Sequence, residues 1–182
     1  IMPKFKLTYF DFHGGRGEPA RLIMTIGDIP FEDERISYEE HFATLKNRPF
    51  EAVAVLEVDG TVISQSNTIN RYLGKIAGLY PEDNFQAALC DEVMSAIEDI
   101  THMVVATFQM EEDEKKAVRE ALVAGPLIVY LKRFEQYLKD RGGEYFIENR
   151  LTIADLKVYS WVASLSSGML DYVPADIVDM TA

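Results

Sequence analysis

Cysteine is almost absent, because the 182 residues contain only Cys90. A single cysteine cannot form an internal disulfide, so a disulfide-stapled fold is excluded and a reducing compartment, the cytoplasm, is expected. Cys90 lies in an apolar periodic segment, which favours inert packing over a nucleophilic role. The three histidines, His13, His41 and His102, have no metal-ligand spacing with that cysteine, so we expect no metal centre.

Long apolar runs and an excess of positive charge are also missing. No stretch approaches the ~18 apolar residues of a membrane span, and no apolar leader is visible, so neither an anchor nor a secretory signal is expected. The formal net charge of −12 argues against nucleic acid or an anionic membrane surface as the main partner. With 48% hydrophobic and 26% charged residues, the composition is typical of one or two soluble globular domains.

A hairpin followed by a helix organises the first half of the chain. Two β-branched runs, 53–58 and 61–64, flank Asp59-Gly60, which predicts a two-residue hairpin because a type I′ turn needs positive φ at both central residues. Apolar residues at helical spacing follow Ser66. We therefore expect Ser66 to be the N-cap of a helix whose N-terminus can hold a carboxylate. A cap that binds no ligand is the alternative interpretation.

Residues 1–78 are predicted to form a thioredoxin-like domain. A strand over residues 4–10, a helix from Pro19 to about Gly27 and a strand over 31–36 make a βαβ unit. A crossover of this length implies parallel strands and a right-handed connection. The hairpin and its helix then complete a βαβ-ββα order.

Residues 85–182 are predicted to form an all-helical domain. One helix is predicted over 85–109, and another follows the charged residues 111–116 and extends to about Asp140. Pro126 should kink or split this second helix, because proline removes an internal hydrogen bond. The sequence Thr-Ile-Ala-Asp at 152–155 fits a capping box, with Asp in place of the usual Glu. It should begin a buried helix over 153–165.

Few residues carry recognisable chemistry. No Ser-His-Asp, Cys-His or paired-carboxylate arrangement can be argued from spacing, and the glycine-rich loop at 14–17 is not the G-x-G-x-x-G of nucleotide-binding folds. What remains is a set of polar and aromatic residues near predicted strand and helix ends: Tyr9, Phe10, Arg16, Lys46, Gln65 and Ser66. A tyrosine at a strand end can donate a hydrogen bond to a developing anion, or can simply be a core aromatic. Both interpretations stay open on these grounds.

Several segments, in order, carry a family resemblance: LTYFDFHGGRGEPARL, FATLK, VLEVDG, QSNTINRYLGK and LTIADLKVY. Together they resemble the cytosolic glutathione S-transferases, most of all the sigma class, which includes glutathione-dependent prostaglandin D isomerases and lens S-crystallins. The match covers nearly the whole chain. The resemblance implies a homodimeric cytoplasmic detoxification enzyme that conjugates glutathione, its co-substrate, to a hydrophobic electrophile.

The resemblance also implies a role for each matching residue. Tyr9 would hydrogen-bond the glutathione sulfur and stabilise its thiolate, and Arg16 would help position the thiol. Gln65 and Ser66 would hold the γ-glutamyl carboxylate, and Lys46 the glycyl carboxylate. The full glutathione-binding set is Tyr9, Phe42, Lys46, Val53, Gln65, Ser66 and Asp99, the last reaching the glutathione of the other subunit. The electrophile pocket would draw on Phe10, Arg16, Met103 and Phe108.

Three departures from the family pattern bear on activity. Ala54 stands where the family has a cis-proline. Because a cis bond before a non-proline residue costs about 2.5–4 kcal/mol, we expect a trans bond here and a weakened enzyme. The segment 46–53 is about one residue short, and family members continue beyond Ala182 through a helix that lines the electrophile pocket.

Alternatives therefore stay open. The chain can be a catalytically weak structural or interaction protein of the S-crystallin or translation-factor-subunit kind, or a prostaglandin D isomerase. A thioredoxin-like redox enzyme is disfavoured, because the first half has no cysteine.

Overall fold

A computed structural model describes residues 2–181, which divide into two compact units between Asp83 and Asn84. The first unit contains, in order, β1 (Phe5–Phe10), α1 (Glu18–Ile26), β2 (Phe31–Ile36), α2 (Tyr38–Thr44), β3 (Val55–Val58), β4 (Thr61–Ser64) and α3 (Ser66–Ile76). Its strands form one mixed sheet in the order β2-β1-β3-β4. This arrangement confirms the thioredoxin-like prediction.

The sheet follows from the crossover and the hairpin. β1 and β2 pair in parallel, with Phe5 opposite Phe31, as the intervening helix requires. Asp59 and Gly60 have φ of 48° and 85°, the positive values of the predicted type I′ turn, and β3 and β4 pair antiparallel on either side of them. The core of this unit is built from large apolar side chains that strands and helices bury completely: Leu7, Ile23, Met24, Leu56, Ile69 and Leu73.

The second unit is helical, as predicted. Its helices are α4 (Asn84–Val105), α5 (Glu112–Leu122), α6 (Ile128–Asp140) and α7 (Ile153–Leu165). A π-helical turn that contains Pro126 separates α5 from α6, which confirms the predicted interruption. α7 begins with the predicted capping box: the Asp155 carboxylate accepts hydrogen bonds from the Thr152 backbone N–H at 2.7 Å and hydroxyl at 2.8 Å. In the part of the chain described, no helix combines the length and apolarity that crossing a bilayer requires.

Two predicted helix ends are wrong by a few residues. Ser66 is the first residue of α3, and Gln65 is the N-cap, because the Gln65 carbonyl accepts the first helical hydrogen bond from Ile69 N–H at 3.0 Å. α4 ends at Val105 rather than near residue 109. Thr107 directs its N–H and its hydroxyl to the carbonyl three residues earlier, at 3.0 and 2.7 Å, which tightens the chain into turns.

The connection between α2 and β3 contains two 3-10 turns, Leu45–Asn47 and Pro49–Glu51. It leads to a peptide bond between Val53 and Ala54 that is cis, so the expected trans bond is wrong. The trans preference is a property of the local dipeptide. Ala54 is buried directly before a paired strand, and that tertiary setting is not visible in the local sequence.

Candidate active site

β1 and β4 have their C-terminal ends at the same end of the sheet, with β3 between them. Thr8, Val55 and Ser64 form a row across β1, β3 and β4, so Tyr9 and Ser66, just beyond the row, lie at the same edge. Adjacent strands are about 4.8 Å apart, which separates the two strand ends by about 10 Å. An extended peptide covers this distance with about three residues.

The loop after β1 encloses Tyr9, whose side chain is only 6% exposed. The Tyr9 hydroxyl oxygen accepts a hydrogen bond from the backbone N–H of Arg16 at 2.9 Å. A Cβ atom on Gly15 would lie 2.4 Å from that oxygen, and one on Gly17 would lie 2.4 Å from Cγ of the ring. The Arg21 guanidinium lies 5.8 Å from the ring centroid. Glycine at these two positions lets the backbone close around the tyrosine.

Burial raises the pKa of the Tyr9 hydroxyl above its ordinary value. The hydrogen bond from the Arg16 backbone and the positive charges of Arg16 and Arg21 act in the opposite direction without cancelling it, while Tyr38 adds to the increase. The phenol is therefore protonated at neutral pH. Among the described residues the structure shows no acceptor for its proton, so the hydroxyl can donate to a ligand while the Arg16 N–H occupies a lone pair.

The other end of the row is the start of α3. Gln65 has φ of 73° and ψ of 111°, a backbone conformation that residues with a side chain rarely adopt and that recurs at ligand sites. Ser66 follows it and is buried. The amino end of a helix carries a partial positive charge, which favours an anion at this position.

α2 and the segment that joins it to β3 carry three further residues that are predicted to contact glutathione. Phe42 lies on α2 and is 61% exposed, Lys46 is exposed in the first 3-10 turn, and Val53 is half-buried before β3. Arg48 closes this segment on itself, because its Nη1 donates to the His41 carbonyl at 3.2 Å and lies 3.3 Å from Nδ1 of the same residue.

Next to Tyr9 lies an aromatic cluster that sequence reasoning missed. The Phe10 ring is nearly parallel to those of Tyr38 (4.5 Å, 24°) and Phe12 (6.1 Å, 12°). Tyr9 meets Phe10 and Phe12 edge-on at 5.3 and 5.6 Å, and His41 meets Phe10 at 5.2 Å. We call Phe12, Phe10 and Tyr38 the aromatic stack. Its sequence signal was the density of aromatic residues in YFDFH and YEEHF, but only the fold brings these two segments together.

Similarity to known proteins agrees with this geometry. Residues 98–178 match the glutathione S-transferase C-terminal domain family. The chain is 34% identical over 176 residues to glutathione S-transferase 1 of Ascaris suum, a match that covers 94% of this chain and 85% of the relative. The chain belongs to the glutathione S-transferase family.

Proteins that carry a different name are similar over nearly the same length of this glutathione S-transferase family member. The hematopoietic prostaglandin D synthase of Gallus gallus is 31% identical over 178 residues, covering 98% of this chain and 85% of its own. The solved structure of prostaglandin synthase D of Nilaparvata lugens superposes with a TM-score of 0.88 at 32% identity, covering 98% and 87% of the two chains. The family resemblance and the fold are thereby confirmed.

Three predicted residues of this glutathione S-transferase family member belong to the second unit. Asp99 and Met103 are exposed on α4. Phe108 lies in the turn after α4 rather than on the helix, and the Arg119 guanidinium lies 5.1 Å from its ring centroid. The roles assigned to these residues stay predictions. Over residues 2–181, no group of three or more His, Cys, Asp and Glu is arranged to hold a metal ion.

Proposed function

We propose that the protein conjugates the glutathione thiolate to a hydrophobic electrophile. The Tyr9 hydroxyl carries the proposal: it is buried where β1 ends, it is protonated, and its oxygen accepts the Arg16 N–H, while no described residue accepts its proton. A sulfur anion beside this hydroxyl would accept that proton in a hydrogen bond. Family membership supports the same chemistry, and Arg16 would help position the thiol.

The energy required is within reach of this arrangement. A free thiol has a pKa of about 8.5, so only a few per cent is ionised at neutral pH. A hydrogen bond to a charged group contributes about 1.5–3 kcal/mol, which lowers the thiol pKa by about one to two units. In the reaction a carbon–sulfur bond forms, the leaving group departs with the electrons of its broken bond, and the thiol proton passes to solvent.

The row of residues across the sheet supports the proposed mode of glutathione binding. We assign the γ-glutamyl carboxylate to Gln65 and Ser66 at the start of α3, where the helix field favours an anion. Lys46 would bind the glycyl carboxylate, and the Val53 backbone and Phe42 would contact the rest of the tripeptide. In the proposed homodimer, Asp99 would reach the glutathione of the other subunit. The protein would act in the cytoplasm.

For the electrophile, Phe10 and Arg16 are the proposed contacts beside Tyr9. Met103 and Phe108 of the second unit are additional candidates. A second function, isomerisation of a prostaglandin-like endoperoxide, is favoured by the similarity to prostaglandin D synthases. It would use the same glutathione thiolate.

The test is retention of the purified chain on immobilised glutathione, followed by conjugation of chlorodinitrobenzene and by an endoperoxide isomerisation assay. We expect binding and conjugation. The Ser66→Ala variant should raise KM for glutathione about tenfold or more, since it removes a hydrogen bond to a charged group, and should leave kcat within about twofold. A folded protein that neither binds glutathione nor turns over either substrate would establish the structural or interaction class instead. Sedimentation analysis tests the dimer, and cell fractionation tests the location.

A further inference from the structure

The Arg48 side chain closes a loop that contains two of the proposed glutathione contacts. Its Nη1 donates to the His41 carbonyl at 3.2 Å and lies 3.3 Å from Nδ1 of the same residue. Phe42 and Lys46 lie between the two joined residues. We call residues 41–48 the 41–48 loop. The position of both proposed contacts therefore depends on hydrogen bonds that join the two ends of this loop.

Arg48 also holds the chain on either side of itself. Its backbone N–H donates to the Leu45 carbonyl at 3.1 Å, and its own carbonyl accepts from the Glu51 N–H at 3.1 Å. These bonds join α2 to both 3-10 turns of the connection that leads to β3. Because α2 has only seven residues, it is too short to be stable by itself and depends on such contacts.

The contact between Arg48 and Nδ1 of His41 requires a neutral imidazole. A guanidinium has only donors, so Nδ1 must be the acceptor, and the imidazole proton is on Nε2. An imidazolium has protons on both nitrogens, so it cannot accept this bond, and its charge repels Arg48. Burial, and then the positive charge of Arg48, lower the pKa of His41 below its ordinary value. The contact is therefore present at neutral pH and is lost as the pH falls through that lowered pKa.

The surroundings of His41 make Arg48 the neighbour that responds to its protonation. From β1, the Phe10 ring meets the imidazole edge-on at 5.2 Å. Glu40 is already engaged, since its carboxylate accepts from the Ser37 N–H at 2.7 Å. Arg48 is the residue whose charge acts on the pKa of His41. The ionisable residues of α2 and of the connection that surround the imidazole in the sequence are Tyr38, Glu39, Glu40, Lys46 and Arg48.

We propose that Arg48 and His41 position the 41–48 loop for glutathione and release it when His41 is protonated. The inference rests on the proposed function, in which Lys46 binds the glycyl carboxylate. Both are positioning residues, because they hold the backbone that carries Lys46 and Phe42 and exchange no proton with the substrate. Binding of the tripeptide should therefore weaken in acid, even though its carboxylates stay ionised at about pH 5.

The test is isothermal titration calorimetry with S-methylglutathione between about pH 5 and pH 7, the range in which a histidine titrates. The sulfur of this ligand cannot ionise, so thiolate formation does not contribute to the pH dependence of its binding. We expect the Kd of the wild-type protein to rise about 2- to 12-fold as the pH falls, which is the range of a single hydrogen bond.

Two variants separate the imidazole from its partner. His41→Asn keeps an acceptor near the place of Nδ1 but does not titrate, so it should bind as the wild type does at pH 7 and lose the pH dependence. Arg48→Met removes the donor and should bind at every pH as weakly as the wild type does at pH 5. The matched controls are His13→Asn and His102→Asn, the other two histidines of the chain, and each should keep the wild-type pH dependence.

Three results overturn the inference while binding at pH 7 leaves the proposed function standing: a wild-type Kd that does not change with pH, a pH dependence that survives in His41→Asn, or binding that strengthens in acid. The last would mean that the imidazolium attracts the glycyl carboxylate directly. If circular dichroism shows that Arg48→Met does not fold, the profiles of the wild type and of His41→Asn decide the question. A wild-type protein that does not bind S-methylglutathione at pH 7 would refute the proposed function, and this inference with it.

Discussion

Replacing Tyr9 by phenylalanine removes the proposed hydrogen bond from the Tyr9 hydroxyl to the glutathione sulfur, on which the proposed chemistry depends. The substitution removes the hydroxyl that accepts the Arg16 N–H at 2.9 Å, and it leaves the buried ring in place. A hydrogen bond to a charged group is worth about 1.5–3 kcal/mol. At 1.36 kcal/mol per pKa unit, the pKa of the bound glutathione thiol should rise by about one to two units.

The direction of the pH effect follows from the reactive species. Because the thiolate is the nucleophile, a higher thiol pKa moves the ascending limb of the kcat/KM profile to higher pH. Below the wild-type pKa of the bound thiol, Tyr9→Phe should therefore be about 10- to 100-fold slower. At pH values above the raised pKa the difference should shrink, because the thiol ionises in both proteins.

The assay is ultraviolet titration of the thiolate in the complex with glutathione, together with the pH profile of chlorodinitrobenzene conjugation. Tyr159→Phe, which removes a hydroxyl from an exposed tyrosine on α7, is the control and should match the wild type. Urea unfolding checks that Tyr9→Phe stays folded, since losing the contact with Arg16 costs about 0.5–1.5 kcal/mol. An unchanged pKa of the bound thiol in a folded variant would refute the reasoning.

Four further outcomes are expected. Gly17→Ala would place a Cβ 2.4 Å from Cγ of Tyr9 and so push the tyrosine ring, with its hydroxyl, out of position. Steady-state kinetics should then show kcat lowered about 10- to 100-fold, with a smaller change in KM for glutathione. Asn70 is fully buried on α3, and neither of its amide atoms has a hydrogen-bond partner among the described residues, so Asn70→Ala should raise the free energy of unfolding in urea by about 1–3 kcal/mol; a loss of stability would contradict this. Asp155→Ala breaks the capping box and should lower that free energy by about 2–3 kcal/mol, whereas an unchanged urea midpoint would count against the role of the box. Burial raises the pKa of Cys90 to about 12, so a thiol reagent at mildly alkaline pH should label it only after the chain unfolds; rapid labelling of the folded protein would show the thiol to be accessible.

The elements that the sequence predicted well are those with short-range causes. The Asp59-Gly60 turn, the break at Pro126 and the capping box at Asp155 each depend on residues within a few positions of one another, and each occurs in the structure. The crossover between β1 and β2 could also be predicted, because the length of the intervening helix admits only a parallel pairing.

The errors arise where long-range contacts override a local preference. The expected trans bond at Ala54 is wrong, because the local dipeptide preference does not reflect the setting of a buried strand start. The helix cap expected at Ser66 lies one residue earlier, at Gln65, in a backbone conformation that local propensity disfavours. Apolar periodicity predicts too late an end for α4, because it does not reveal that the Thr107 hydroxyl donates to the Val104 carbonyl and accepts a hydrogen bond from Nε of Arg119 at 2.7 Å.

The sequence by itself determined the order of strands and helices, the division into a mixed α/β half and a helical half, and the family motifs that point to glutathione. These features are encoded in periodicity, turn residues and segments of contiguous chain. Only the tertiary structure decided that Gly15 and Gly17 close on Tyr9, that the Tyr9 hydroxyl receives the Arg16 N–H, and that Tyr38 joins the rings of Phe10 and Phe12. Such contacts join residues whose distance in space is set by the pairing of strands and the packing of loops, and no local pattern encodes that distance.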